Sequence, residues 1–484
     1  MNKRALILVA LTLVQLTVPV RAATPQEARA ALAKATAFMR SISAGGGWLW
    51  TYSTDLKERA GERPATPTQI WIQPPGTPSM GMALLRAYEA TGDKQYLDAA
   101  KAAADALATG QLESGGWDYV IDFDANAAKK WYRRSDAGKL TPAEISKRVN
   151  ISTFDDNTTQ SAVRFLLAVV DASKGSNDAR DQRIRAALEY ALKKMLEAQF
   201  PNGGWPQRYD GKPRNAADFP VKQASIPKNW PREHAGVKYF NYYTLNDNGQ
   251  RDCMATMIDA WKRTGKAEYL AAAKRGGDFL LLAQLPAPQA GWAQQYNQNM
   301  EPAWARAFEP PAVTGGESSG AIRTLVELYL ETGEEKYIKT IPAAIDWYQR
   351  SAIAPNRWAR YYELGSNKPI YGDRDGKIHY TLEELSEERR THYGWQGDFN
   401  VQRTITFYEQ VKAAGREAWL EKQKTKPLTD KQKESRAKSL APRADKAIAA
   451  MDAQGRWLAR GKIDTRLFID NLGALCDYLE VAGK

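Results

Sequence analysis

The chain has 484 residues, an apolar fraction of 43% and a formal net charge of +12. That length allows one large domain or two to three smaller ones with a sizeable core. The basic balance points to polyanionic partners: nucleic acid, anionic lipid or acidic polysaccharide. With only three His and two Cys, His-based zinc sites and Ser-His-Asp chemistry are poorly supported.

The N-terminus opens with Lys3 and Arg4, followed by the apolar run Ala5–Val20 and the small-residue site Val20-Arg21-Ala22. This pattern predicts an export leader over 1–22 and a mature start near Ala23. No other stretch is long enough to span a bilayer, so no membrane anchor is expected after cleavage. Export weakens the case for nucleic acid. Cys253 and Cys476 both sit in helix-like apolar runs, which leaves a bridge and two buried free thiols open.

From there the chain repeats itself. RAYEATGDKQYLDAAKAAAD (86–105), DAWKRTGKAEYLAAAKRGGD (259–278) and ELYLETGEEKYIKTIPAAID (327–346) align without gaps. Each reads as a helix, a Thr-Gly stop where Gly takes the left-handed conformation, and a second helix. A second repeat centres on Trp48, Trp117, Trp205, Trp292, Trp358 and Trp457, at intervals of 69, 88, 87, 66 and 99 residues. The expected fold is therefore all-α, an (α/α) toroid or incomplete barrel of antiparallel helix pairs, with short β pieces in its loops. An open solenoid is the alternative. The toroid would bring the Trp loops to one end as an aromatic-lined face, although most of the 15 Trp and 22 Tyr would still fill core.

Residues 23–484 read as a single domain. Asp122–Asn150 is irregular, with a helical patch near Pro142–Lys147. Asp210–Tyr239 is a long surface insertion rich in Pro, Lys and Arg. Thr381–Thr391 is a charged helix and Ile463–Leu479 the last helix, expected to close the ring.

Three clusters carry chemistry. Thr153-Phe154-Asp155-Asp156-Asn157 stands directly before a helix, where any one acid serves as an N-cap, but two adjacent aspartates also suit Ca²⁺. Asn246-Asp247-Asn248-Gly249 holds the equivalent place in the next unit, again as a cap or as a metal loop. The third cluster is basic: Arg306, Arg360 and Arg374. Of these, Arg374 ends YYELGSNKPIYGDRDG (361–376), whose glycines and proline predict strand pieces joined by tight turns. Planar guanidinium suits bidentate carboxylate recognition. Acidic loops beside arginines suit an anion bridged to the protein by a cation. On a polyuronate, such a site would stabilise the charge formed when the C5 proton leaves and the C4–O bond breaks.

GGWPQRY, STFDDNTT, NDN, RAFEPPAVTGGESSG and YYELGSNKPIYGDRDGKIHY together resemble polysaccharide lyase family 10, the pectate lyases, from about Ala30 to Leu479. The resemblance implies an (α/α)₃-type toroid, Ca²⁺ as cofactor and β-elimination on polygalacturonate to 4,5-unsaturated oligogalacturonides. It implies Arg374 as the base and Asp247 as main Ca²⁺ ligand, with Asp155, Asp156 and Asn246 beside it. Arg306 and Arg360 would hold substrate carboxylates, with Asp155, Trp205 and Tyr361 also contacting the sugar. The family commonly has Asp-Asn where this chain has Asp155-Asp156, and the 210–239 insertion is longer than the resemblance leads one to expect. A free guanidinium stays protonated far above neutral pH, so an arginine base implies an alkaline optimum, its neutral form favoured by nearby Ca²⁺ and arginines. The expected protein is an exported, secreted or periplasmic monomer that binds pectate. A glycoside hydrolase using Asp155 and Asp247, a non-catalytic uronate binder and a helical scaffold are the other readings.

Overall fold

The computed structural model describes residues 23–236, 238–424 and 426–483; the leader expected over 1–22 lies outside them. Two kinds of helix stop organise the chain. At one end the Thr-Gly pairs behave as their sequence requires: Gly92, Gly265 and Gly333 sit at φ of 71°, 71° and 75°. Their N–H groups return to the carbonyls of Tyr88, Trp261 and Tyr329. The hydroxyls of Thr91, Thr264 and Thr332 donate to carbonyls four residues back, at 2.6, 2.6 and 2.8 Å. Carbonyls left over at a helix end are thereby satisfied.

At the other end the six repeated tryptophans do the same work by side chain. The indole N–H groups of Trp48, Trp117, Trp205, Trp292, Trp358 and Trp457 donate to the carbonyls of Met39, Leu107, Met195, Leu280, Tyr348 and Ala447. All six distances lie between 2.7 and 2.9 Å. All six rings are buried. The expected aromatic-lined face is therefore not built from this repeat, and Trp205, 1% exposed, has no surface for a sugar to stack on.

Between these stops the helices form two layers. The inner layer runs in space as Thr465–Ala482, Thr77–Thr91, Thr158–Ala172, Gly249–Thr264, Gly315–Thr332 and Val401–Ala414, each packed on the next. Pro25–Ser41, Lys94–Gly110, Ala179–Ala198, Ala267–Ala283, Ile341–Ser351 and Asp430–Ala449 lie outside them. Close approach needs small residues: a Cβ on Gly81 would lie 2.1 Å from the Phe165 ring on the neighbouring inner helix. The last helix packs on Thr77–Thr91 and Asp430–Ala449, but among the described residues no comparable packing joins it to Val401–Ala414. The toroid is thus incomplete, and larger than the (α/α)₃-type frame implied by the resemblance. A cavity of about 820 Å³ between four inner helices marks its lumen.

The loops at the tryptophan end carry short antiparallel ladders. One is four-stranded, in the order Ile378–His379, Pro369–Gly372, Tyr361–Tyr362, Val313–Thr314. This matches the strand pieces expected within 361–376, with Gly365 at φ 87° in the turn. The charged helix expected over 381–391 begins later, at Glu387, with Ser386 as its N-cap. Cys253 and Cys476 are free and buried. Among the described residues no helix is long and apolar enough to cross a membrane.

Because each indole satisfies a buried carbonyl, Trp205→Phe is expected to destabilise the protein by about 1–3 kcal/mol, measured by urea unfolding. Trp292→Phe should behave alike.

Candidate active site

The acidic loops are brought side by side by short strands. Ser152–Thr153 pairs with Arg208–Tyr209, Pro206 bridges to Tyr243, and Tyr243–Thr244 pairs with Gln295–Tyr296. Directly after these strands both loops make the same backbone move. Asp156 and Asn157 take φ of 50° and 57°, and Asp247 and Asn248 take 49° and 61°. Two successive left-handed residues are uncommon outside Gly, and Asn and Asp are the side chains that best tolerate them. The turn throws the carboxylates out at the mouths of the Thr158–Ala172 and Gly249–Thr264 helices. A third copy, unseen in the sequence, precedes Val401–Ala414: Phe399 and Asn400 at 43° and 57°.

Asp155, Asp156 and Asp247 offer carboxylate oxygens that all lie within 4.8 Å of one another. Asp155 Oδ2 accepts from Tyr119 Oη at 3.1 Å and Gln207 Nε2 at 2.9 Å, while its Oδ1 is buried with no partner. Asn246 Nδ2 donates to Asp247 Oδ2 at 2.5 Å and so orients that carboxylate. Desolvation, then the charges of Asp155 and Glu62, push Asp156 up to about 6. Desolvation and the charges of Asp155 and Asp156 push Asp247 up to about 7, although its side chain meets solvent at the cleft. Ca²⁺ takes hard oxygens at about 2.3–2.6 Å, so oxygens on opposite sides of one ion lie about 5 Å apart. The spacing, the three carboxylates and the orphaned Asp155 oxygen fit such an ion. The helix N-termini oppose a cation, a cost that three carboxylates together would outweigh.

The arginines are gathered on aromatic rings. Phe308 has the guanidinium groups of Arg306, Arg374 and Arg389 at 4.7, 5.6 and 4.4 Å from its centroid. Tyr393, edge-on to Phe308 at 5.3 Å, carries Arg360 at 4.4 Å. Gly372 permits the Arg374 strand to approach, since a Cβ there would lie 2.5 Å from the Phe308 carbonyl. A small core of Ala312, Tyr361, Ile370, Tyr371, Leu385 and Trp395 backs this hub.

Each arginine has a partner. Arg306 is bonded to the buried Glu309, which outweighs desolvation and pushes the guanidinium pKa upward. Burial alone would raise Glu309, but Arg306 holds it below the usual carboxylate range. Arg360 Nε donates to Gly394 O at 2.9 Å. Arg374 donates to both oxygens of Glu388, at 3.0 and 3.1 Å, and Glu388 pushes it upward too. Hydrogen bonds from Arg389 and Arg374 pull Glu388 down to about 2. The anions thus act against the neutral form that an arginine base requires.

Of the residues expected at the site, Asp155, Asp156 and Asp247 converge. Arg360 lines, with Asp247, Asn248, Arg251, Glu317 and Phe399, a polar cavity of about 250 Å³. Arg306 is the arginine whose charge acts on Asp156. Arg374 joins the group through Phe308. Tyr361 is fully buried and reaches no cleft; its hydroxyl donates to Gln294 Oε1 at 2.6 Å and lies 3.2 Å from that of Tyr393. Phe308 and Glu309 stand inside the marked motif RAFEPPAVTGGESSG, and Glu388 and Arg389 inside the charged helix expected over 381–391, but none was given a site role; Tyr393 lay outside every marked motif.

A carboxylate triad facing arginines on the loop end of a helical toroid defines a protein for anionic ligands. The Pectic acid lyase family model matches residues 124–357 and 352–403, more than half of the chain. The chain belongs to this family and is a polysaccharide lyase. Among solved structures it is similar to a family 10 polysaccharide lyase from Cellvibrio cellulosa, at 20% identity and TM-score 0.45, over 68% of this chain and 95% of that one. A mutant of a Cellvibrio cellulosa family 10 lyase, in complex with trigalacturonic acid, matches at 21% identity and TM-score 0.45, over 69% and 98%. A GH76 α-mannanase from Bacteroides thetaiotaomicron matches at 10% identity and TM-score 0.40, over 94% and 95%. No curated protein matches the chain.

The raised carboxyls set a sign for stability. Between the unfolded aspartate pKa of about 3.9 and the folded values of about 6 and 7, the native state binds more protons than the unfolded one. Metal-free protein should therefore lose stability as pH rises through this window. Asp247→Asn should flatten that loss, raise Tm in chelator and abolish the Tm gain on adding Ca²⁺, all read by thermal unfolding.

Proposed function

We propose that this chain is an exported, monomeric, Ca²⁺-dependent pectate lyase that cleaves polygalacturonate by β-elimination. The observation that supports this best is that the two groups meet: Asp247 of the carboxylate triad and Arg360 line one polar cavity, and the charge of Arg306 acts on Asp156. Asp155, Asp156 and Asp247 would hold the ion, with Asn246 orienting Asp247. When bound, Ca²⁺ would supply positive charge to the uronate carboxylate next to C5. Arg360 and Arg306 bind carboxylates of the chain and fix the ring so that its C5 hydrogen faces the base. The base takes that proton, and the electron pair forms the C4–C5 double bond as the C4–O bond breaks. The departing oxygen takes a proton from solvent, to which the base afterwards returns its own. One product carries a 4,5-unsaturated end, the other a new end at the departed oxygen, and no water is consumed.

The resemblance assigns the proton transfer to Arg374. A second reading gives it to Arg306, because the charge of that guanidinium acts on Asp156, although Arg306 is itself paired with the buried Glu309. Conservative substitution separates them. The base, changed to Lys, should lose at least about 100-fold in kcat, about 2.7 kcal/mol, with KM little changed. The other arginine, changed to Lys, should mainly raise KM.

Incubation with polygalacturonate tests the whole reading. The expected result is a product absorbing in the near ultraviolet, formed with Ca²⁺, abolished by chelator and favoured at alkaline pH. New reducing ends without that absorbance would make the protein a hydrolase, and binding without either product would make it a uronate binder.

A further inference from the structure

One cation near the acid triad has no partner. Arg208 stands on the short strand paired with Thr153, two residues before Asp155, and next to Gln207, which bonds Asp155. Its side chain is half-buried and its Nε is buried without a hydrogen-bond acceptor. Among the described residues its guanidinium makes no ion pair. Its neighbour is the ring of Phe240, 4.6 Å from guanidinium to centroid. Phe240 is 37% exposed and packs on Tyr239 at 4.8 Å between centroids. Tyr239 and Phe240 stand where the 210–239 segment returns to the toroid. Burial, then the charge of Glu309, raise the Tyr239 hydroxyl, and Arg306 and Arg208 oppose them, so this ring lies within electrostatic reach of both arginines.

A guanidinium left unpaired beside three carboxylates, and held flat by an exposed ring, has a vacant bidentate face. A sugar ring has an apolar face that stacks on an aromatic, and a uronate adds a carboxylate in reach of the cation. We infer that Arg208, with Tyr239 and Phe240, forms an additional uronate subsite, in which Arg208 binds a carboxylate and the aromatic pair carries a sugar ring. This rests on the pectate lyase reading. It gives the returning end of the long insertion a function: it supplies the aromatic wall of a subsite whose cation comes from the conventional part of the frame. Arg208 would be a substrate-binding residue remote from the bond that breaks, so its loss should fall on KM and not on kcat.

The competing account is that Arg208 only balances the charge of the triad. Kinetics on polygalacturonate at saturating Ca²⁺ distinguish the two. For Arg208→Gln, KM should rise at least about tenfold with kcat within about twofold, and Arg208→Lys should recover part of the loss. Phe240→Ala, a change at an exposed ring that leaves folding intact, should raise KM severalfold. An unchanged KM in Arg208→Gln, or weaker Ca²⁺ binding with KM unaltered once Ca²⁺ is saturating, would overturn the subsite. Wild-type protein that forms no unsaturated product would instead defeat the underlying reading. In that case calorimetric binding of trigalacturonate to wild type and Arg208→Gln decides the subsite, with equal affinity counting against it.

Discussion

The molecule depends on how its outer helices end. Six indole N–H groups reach back 9 to 12 residues to a carbonyl near the end of the preceding helix. A buried carbonyl left unpaired costs about 1–3 kcal/mol, so each bond fixes where its helix stops and where the chain turns. The Thr-Gly stops serve the same purpose at the opposite end, with a left-handed Gly and a Thr hydroxyl that returns to a carbonyl four residues back. Because each indole cap closes an outer helix, every indole-capped turn falls at one end of the toroid. The site is assembled there because the chain is folded to return there, unit after unit.

The two devices were not equally legible. A Thr-Gly pair between apolar helices has one local meaning, since Gly92, Gly265 and Gly333 need only their own backbone to form the stop. The Trp repeat was visible as a period but ambiguous in role, because an indole serves equally to cap a helix and to stack on a sugar. Which way Trp205 points is settled by the helix it returns to, and nothing in GGWPQRY encodes that. The acidic loops show the converse. Two of the three left-handed pairs carried aspartates and drew notice, while the third was hidden because Phe399 stands where the acid would be. Its shared feature is the Asn that follows, a backbone requirement and not a chemical one.

Partner groups were the hardest to read. YGDRDG announced Arg374, but the anion that holds it comes from the Glu387–His392 helix. The ring that collects it, Phe308, lies beside Arg306 more than sixty residues earlier in the chain. Contacts of this range follow from the four-stranded ladder and from the absence of a Cβ at Gly372, which is a matter of tertiary register. Fold class and the acidic cluster were therefore open to sequence reasoning, whereas the electrostatic state of the arginines was not.

That state bears on which arginine can give up a proton. Glu309 is 1% exposed and accepts from Arg306 and Tyr393, so its charge is unscreened and fixed, and Arg306, whose charge acts on Asp156, is held firmly protonated. Glu388 and Arg374 are 46% and 64% exposed at their side chains, and an ion pair in that setting is worth little. Arg306 thus has the better place and Arg374 the looser partner. A uronate carboxylate arriving at the hub can replace Glu388 on Arg374 with no change in net charge, but it cannot displace Glu309 without leaving a buried anion unpaired. Substrate binding would therefore act first on the exposed pair and leave the buried one intact. On the proposed reading, whichever guanidinium takes the proton, the buried Arg306–Glu309 pair would be the fixed point against which the sugar is aligned.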